Sequence, residues 1–165
     1  MGCIIISCMV YIIYNIVTLC IFGIPNSLSE TYYLYKNKWN IGWVFPIMIY
    51  LVVGLLLPGW IILSEGITLQ FLSFLSPASL LFVGTAPAFK KSKLEDNVHT
   101  ISAYIATICS LLWIVFATPY WWIIFIWTFV ILSISIFTKT VTYAKIYWIE
   151  LITMNSTFSV LLLCL

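Results

Sequence analysis

Arginine is absent from this chain of 165 residues, and its whole formal charge rests on seven lysines and five acids. Charged residues make up 7% of the sequence, against roughly a quarter in soluble domains, so a solvated surface cannot be built from it. Without arginine, the bidentate phosphate clamp common in lipid-headgroup enzymes is missing, although lysine still binds phosphate as a point charge. A single histidine, with no acid–histidine repeat, argues against a histidine-rich zinc site or a bis-histidine haem. No glycine-rich phosphate loop, nucleophile elbow or paired-aspartate motif occurs. A net charge of +2 is too small to suggest nucleic acid as a partner. No cofactor, metal ligand or catalytic residue is therefore assigned. The basic n-region of a cleaved signal peptide and the Ser or Thr of a myristoylation pattern are also missing near the start, so neither process is expected.

What the chain has instead is apolar length. Hydrophobic residues form 64% of it, and mean hydropathy is +1.15. Six apolar runs stand out, at about 4–24, 41–63, 67–86, 98–117, 120–138 and 143–165. Each is long enough, at about 1.5 Å per residue, to cross a hydrocarbon core of about 30 Å as a helix. Backbone groups in lipid must be satisfied internally, which selects helices here. The expectation is an all-α polytopic membrane protein, one domain over 1–165, built as a bundle of six transmembrane helices.

The lysines fall in alternate gaps between the runs. Lys36 and Lys38 follow the first, Lys90, Lys91 and Lys93 the third, and Lys139 and Lys145 the fifth. The positive-inside rule then puts these gaps in the cytoplasm and both termini outside, with a bacterial-type cytoplasmic membrane as the default host. Trp39, Trp43, Tyr143, Tyr147 and Trp148 gather toward the lysine side, and Trp60, Trp121 and Trp122 toward the other, as interfacial aromatic belts do. Five of the six prolines precede residue 90, which argues against a symmetric pair of inverted halves.

Between the first two runs, Pro25 is expected to end the first helix, with a short amphipathic helix resuming through Tyr35. Ser27-Leu28-Ser29-Glu30 has the capping-box pattern, in which Ser27 and Glu30 satisfy each other's backbone donors. The connection from Pro87 to Asn97 reads as a topology signal, because three lysines fall short of a polybasic lipid site. The outer turns, Ser64-Glu65-Gly66 and Thr118-Pro119, force antiparallel neighbours. Cys20 and Cys109 read as packing residues, whereas Cys3 or Cys8 could bridge to Cys164 on an oxidising side.

Polar residues inside the runs are costly and mark the candidate site. Glu150 lies about 10 Å into a helix that starts near Tyr143, and an acid at that depth costs a few kcal/mol unless paired, protonated or hydrated. Tyr143, Tyr147, Thr153 and Thr157 share its face. His99 heads a stripe of small residues, Ala103, Ala106 and Ser110, that lets a neighbouring helix approach closely. Gln70, Ser73, Ser76 and Pro77 fall on one arc of the third run, where Pro77 frees the Ser73 carbonyl and could shape a cavity. Tyr11, Asn15 and Thr18 form a weaker polar face, and Asn155 another interhelical bond.

Glu30, His99 and Glu150 all belong to the lysine-bearing side. The reading preferred is a small transport-like or ligand-binding bundle with a cytoplasm-facing polar cavity, in which Glu150 binds a proton or cation, His99 tunes it and Glu30 stands nearby. Its partners would be membrane lipids, with self-association or another membrane protein as further candidates. Two rivals are a non-catalytic structural or accessory subunit, and an intramembrane lipid-modifying enzyme using Glu150 and His99 as acid and base.

Overall fold

The computed structural model describes the backbone of residues 1–89 and 93–165 and the side chains outside 86–96. Among the described residues the chain is all-helical, with no strand. The helices are α1 (Gly2–Phe22), α2 (Thr31–Trp39), α3 (Val44–Leu63), α4 (Phe71–Phe89), α5 (Lys93–Ala117), α6 (Trp122–Phe137) and α7 (Lys145–Leu163). Four stretches, α1, α3, Asn97–Ala117 of α5 and α7, are long and apolar enough to cross a membrane. Phe71–Thr85 of α4 and the whole of α6 are apolar but shorter. The connection bearing Lys90, Lys91, Lys93, Glu95 and Asp96 lies outside the described side chains.

Several helix ends differ from expectation for local reasons. Helix α1 stops at Phe22 because Gly23 adopts φ +74°, a left-handed conformation that glycine takes without a side-chain penalty. Pro25 is thus not the breaker. Ile67–Gln70 forms a turn, with the Gln70 N–H on the Ile67 carbonyl at 3.0 Å, so α4 starts only at Phe71. Gln70 therefore precedes the helix and shares no helical arc with Ser73, Ser76 and Pro77. Helix α5 begins at Lys93, before the expected residue 98, and α7 begins at Lys145 rather than 143. Pro46 sits in the first turn of α3, where its missing N–H leaves no helical bond unmade.

Five helices close into a ring, in the spatial order α1, α3, α4, α5, α7 and back to α1. Helix α6 stands outside the ring against α7, and α2 packs on the outside of α1 and α3. Ring neighbours run antiparallel except α5 and α7, which α6 separates in the chain and whose first turns lie side by side, so that these two run parallel. The Ile4 side chain at the start of α1 covers Gly59 near the end of α3, and Ile49 near the start of α3 covers Gly84 late in α4.

Hydroxyls fasten the ring. Ser7 Oγ donates to the Val52 carbonyl at 2.8 Å, joining α1 to α3. Ser76 Oγ donates to the Ala106 carbonyl at 2.9 Å and lies 2.6 Å from Ser110 Oγ, joining α4 to α5. The small stripe of α5 thus meets α4 through a residue first read as shaping a cavity. Trp113 Nε1 donates to Ser64 Oγ at 2.8 Å at the opposite end of α5, and Trp127 Nε1 to Ser159 Oγ at 2.9 Å between α6 and α7. Asn155 instead turns back on its own helix, donating to the Leu151 carbonyl at 2.7 Å.

The polarity of the molecule is that of a protein surrounded by hydrocarbon. Ser7, Ser73, Ser76 and Ser156 are fully buried, while Ile12, Ile13, Phe125 and Phe129 face outward and Phe137 is 89% exposed. A soluble core of this size would have those positions reversed. The arrangement is compatible with membrane insertion. All five cysteines are free, so the bridge from Cys3 or Cys8 to Cys164 is not formed.

Candidate functional site

The segment between α1 and α2 does not stay at the end of the bundle. Tyr14 OH hydrogen-bonds Thr31 Oγ1, Thr18 Oγ1 lies 3.0 Å from Tyr35 OH, and the Phe22 ring meets Trp39 at 5.8 Å. These pairs put α2 parallel to the second half of α1. Residues 23–30 must therefore climb back along α1, from the level of Phe22 to that of Tyr14, by about 12 Å at 1.5 Å per residue. Leu28 and Thr31 at the top of the climb are buried. The segment re-enters the bundle, where irregular backbone is tolerated only against protein or a wet cavity.

Its polar groups are accordingly taken up. The Asn26 carbonyl accepts the Tyr147 N–H at 3.0 Å, a first-turn donor of α7 that has no acceptor within its own helix. One turn further on, Glu150 Oε2 accepts the Leu28 N–H at 2.7 Å. Tyr147 and Glu150 thus use one face of α7 to hold the segment at two points. Glu30 folds over the tip from the other side. Its carboxylate accepts the Asn26 backbone N–H at 2.5 Å and the Asn26 side-chain amide at 2.8 Å. Only half of the expected capping box forms: Ser27 Oγ accepts the Glu30 N–H at 3.2 Å, but Glu30 reaches Asn26 rather than Ser27. His99, more than one turn into α5, has Nε2 at 3.1 Å from Ser29 Oγ, which in turn lies 3.1 Å from Ser27 Oγ.

Glu150, His99 and Glu30 therefore converge on one stretch, residues 26–30, from α7, α5 and the segment itself. Glu150 and His99 also share a cleft of about 300 Å³ between α5 and α7, floored by Ser27 and Ser29. Glu30 does not line it. Glu150 is reached about 7.5 Å from the start of α7, counted from Lys145 at 1.5 Å per residue, and not the 10 Å expected from Tyr143. Tyr147, Thr153 and Thr157 are buried on the inward side of α7, whereas Tyr143 precedes the helix and is exposed.

A second cavity lies at the centre of the ring. It measures about 40 Å³ and touches all five ring helices, through Tyr11, Phe45, Leu80, Ser110 and Thr153 among others. Glu150, Ala103 and Thr107 border both spaces, so the carboxylate stands where the outer cleft gives way to the core. Tyr11 OH in that core is buried without a hydrogen-bond partner. Tyr147 OH donates to Asn15 Oδ1 at 3.3 Å, and Asn15 Nδ2 to the Tyr11 carbonyl at 2.9 Å, which holds the surrounding wall together.

The geometry is that of a single carboxylate set between an open polar cleft and a closed apolar core. No protein family model, curated protein or solved structure matches this chain. The site is therefore argued from its chemistry alone. Its direct polar contact is the Leu28 amide, and among the described residues no lysine ammonium pairs with Glu150. A carboxylate keeps capacity for several hydrogen bonds beyond one amide, so the cleft presents an acceptor-rich surface to a ligand.

The residues expected to shape a cavity do otherwise. Ser73 donates to the Gln70 carbonyl at 2.6 Å, Gln70 Nε2 reaches the Ile61 carbonyl at 3.4 Å, and Ser76 fastens α4 to α5. Neither cavity touches these three residues or Pro77. Of the packing stripe, Ala106 and Ser110 are buried against α4, while Ala103 turns half toward the cleft. Sequence reading missed Ser27 and Ser29 as wall residues, Asn26 as the turn held by Glu30 and Tyr147, and Tyr11 as the core hydroxyl. The one local sign was the equal spacing of the Tyr14–Thr31 and Thr18–Tyr35 pairs, which two facing polar stripes produce.

Proposed function

We propose that this chain is an integral membrane protein of six crossings forming a single domain, and that it works as a small transport-like or ligand-binding bundle. In this reading the lysine-bearing connections lie in the cytoplasm, both termini lie outside, and the host is a bacterial-type cytoplasmic membrane. Phe71–Thr85 and α6 then cross as short spans. Local bilayer thinning and interfacial anchors such as Trp121 and Trp122 accommodate such spans at modest cost.

One observation carries the reading: Glu150 borders both the outer cleft and the central cavity while no lysine among the described residues pairs with it. Ionisable residues within membrane helices are expensive and mark pathways for ions, protons or charged ligands. Glu150 is the group that binds a proton or cation, and His99, held by Ser29 on the opposite wall, sets its surroundings. Glu30 acts indirectly by fixing the Asn26 turn.

The test is flux into liposomes holding the purified protein, driven by a proton gradient or by an inward gradient of an organic cation. Glu150→Gln abolishes the flux while leaving the protein monodisperse. Equal flux from the wild type and the variant removes Glu150 from the mechanism. No flux from either, together with co-purification of one stoichiometric membrane partner, favours an accessory subunit instead.

A further inference from the structure

Resting on the reading of Glu150 as a cation site, the cleft also shows from which phase its ligand comes. We propose that the cleft between α5 and α7 takes a single-chain amphiphile with an amine head, entering sideways from the lipid. Three observations lead there. The first is where the cleft opens. Its exposed lining is Tyr104, Ile146 and Ile149, which are 65%, 61% and 53% exposed on the flanks of α5 and α7, together with Thr100. A mouth bounded mainly by exposed apolar side chains on two apolar helices opens to hydrocarbon rather than to water.

The second is polarity along the cleft. Ser27, Ser29, His99 and Glu150 are partly buried where the re-entrant segment meets α5 and α7, whereas the exposed part of the lining is Tyr104, Ile146 and Ile149 with Thr100 as its one polar member. That gradient matches a molecule with a polar head and an alkyl tail. Among the described residues the wall carries one formal charge, the Glu150 carboxylate, and no lysine. An anionic head would face repulsion there with no cation to offset it, whereas an ammonium head finds a carboxylate and neighbouring hydroxyl oxygens as acceptors.

The third is size. At about 300 Å³ the cleft lies at the lower end of the range for small-molecule sites and exceeds what a bare ion fills. The cavity behind Glu150 measures only about 40 Å³, too little for an alkyl chain. The tail must therefore leave by the way it came, past Tyr104 and Ile149 into the bilayer. Head inward and tail outward is the arrangement that places each part against its own kind.

The test uses the full chain in phosphatidylcholine nanodiscs with tritiated dodecylamine, methylamine and dodecyl sulfate as probes. Dodecylamine binds saturably and at least about tenfold more tightly than methylamine, because its tail adds apolar burial. Glu150→Gln weakens it by about tenfold or more through loss of the charged acceptor, and Ala103→Leu weakens it by narrowing the wall. Phe129→Ala, on the far face of α6, leaves it unchanged. Methylamine binding as tightly as dodecylamine, and depending on Glu150, overturns the entry from lipid while the cation site stands. Dodecyl sulfate displacing dodecylamine with equal strength overturns the amine head. Absence of saturable binding of either amine to folded protein sinks both readings together.

Discussion

Replacing Glu150 by Gln should leave this protein at least as stable as before, and the reason lies in one hydrogen bond. The carboxylate accepts the Leu28 N–H at 2.7 Å, and a Gln side-chain oxygen can take up the same position. Exchanging a charge-assisted bond for a neutral one forfeits about 1 kcal/mol. Against that, the substitution removes a charge from a membrane helix, where insertion scales assign an acid about 2.5 to 3.5 kcal/mol at mid-depth and less toward the interface. Because the Gln amide keeps a polar insertion cost of its own, only part of that is recovered, and the two effects leave Gln level with the wild type or modestly more stable. Glu150→Ala sheds the same charge but leaves the buried Leu28 amide without its acceptor, so it should fall about 1 to 3 kcal/mol below Gln. Reversible unfolding in mixed micelles, read by tryptophan fluorescence, measures both differences. A Gln variant weaker than the wild type by more than about 1 kcal/mol would mean that the charge itself is structural, and the case for a ligand would fail. Equal stability of Gln and Ala would show that the Leu28 bond contributes nothing.

Further outcomes follow from individual contacts. Ser76 has one hydroxyl proton, and it goes to the Ala106 carbonyl, so Ser110 must be the donor in the pair between them. Ser76→Ala then removes two bonds and Ser110→Ala only one, which predicts losses of about 1 and about 0.5 kcal/mol in micelle unfolding; the reverse order would contradict the proton assignment. Gly59→Ala would bring a methyl group within 2.7 Å of the fully buried Ile4 side chain and should cost about 1 to 3 kcal/mol, relieved in an Ile4→Ala background. Gly54→Ala meets open space and should stabilise α3 by up to about 1 kcal/mol in the same unfolding assay. Single cysteines replacing Lys36 and Lys139 in a background without native cysteines should react with a membrane-impermeant maleimide from one side of the bilayer. A cysteine replacing Glu65 should react from the other, and labelling of all three from one side would reject the proposed topology.

The helical class was legible because apolar length needs no partner to be recognised: the runs around Ile12, Leu56 and Phe129 are too long and too uniform for anything else. Helix ends were less legible, since they depend on single backbone conformations. The left-handed Gly23 stops α1 before Pro25 does, and the turn at Ile67–Gln70 postpones α4, neither of which hydropathy records. Composition also drew attention to Glu150 and His99, because an acid and an imidazole stand out among so many apolar neighbours. Their common address was not legible. It depends on residues 23–30 climbing back beside α1, and that climb is decided by Tyr14 meeting Thr31 and Thr18 meeting Tyr35, contacts between polar residues of unremarkable type.

The climb also changes what Glu150 is for. A segment without regular structure, carried about 12 Å inward along α1, brings amides that hydrocarbon cannot satisfy. A neutral side chain at position 150 would meet the Leu28 amide more cheaply than a carboxylate does. The charge is thus in excess of what the fold needs, and the excess faces a cleft whose other walls are hydroxyls, an imidazole and exposed apolar flanks. Helix packing alone gives no reason for a carboxylate there, whereas the cationic ligand proposed to arrive between α5 and α7 would.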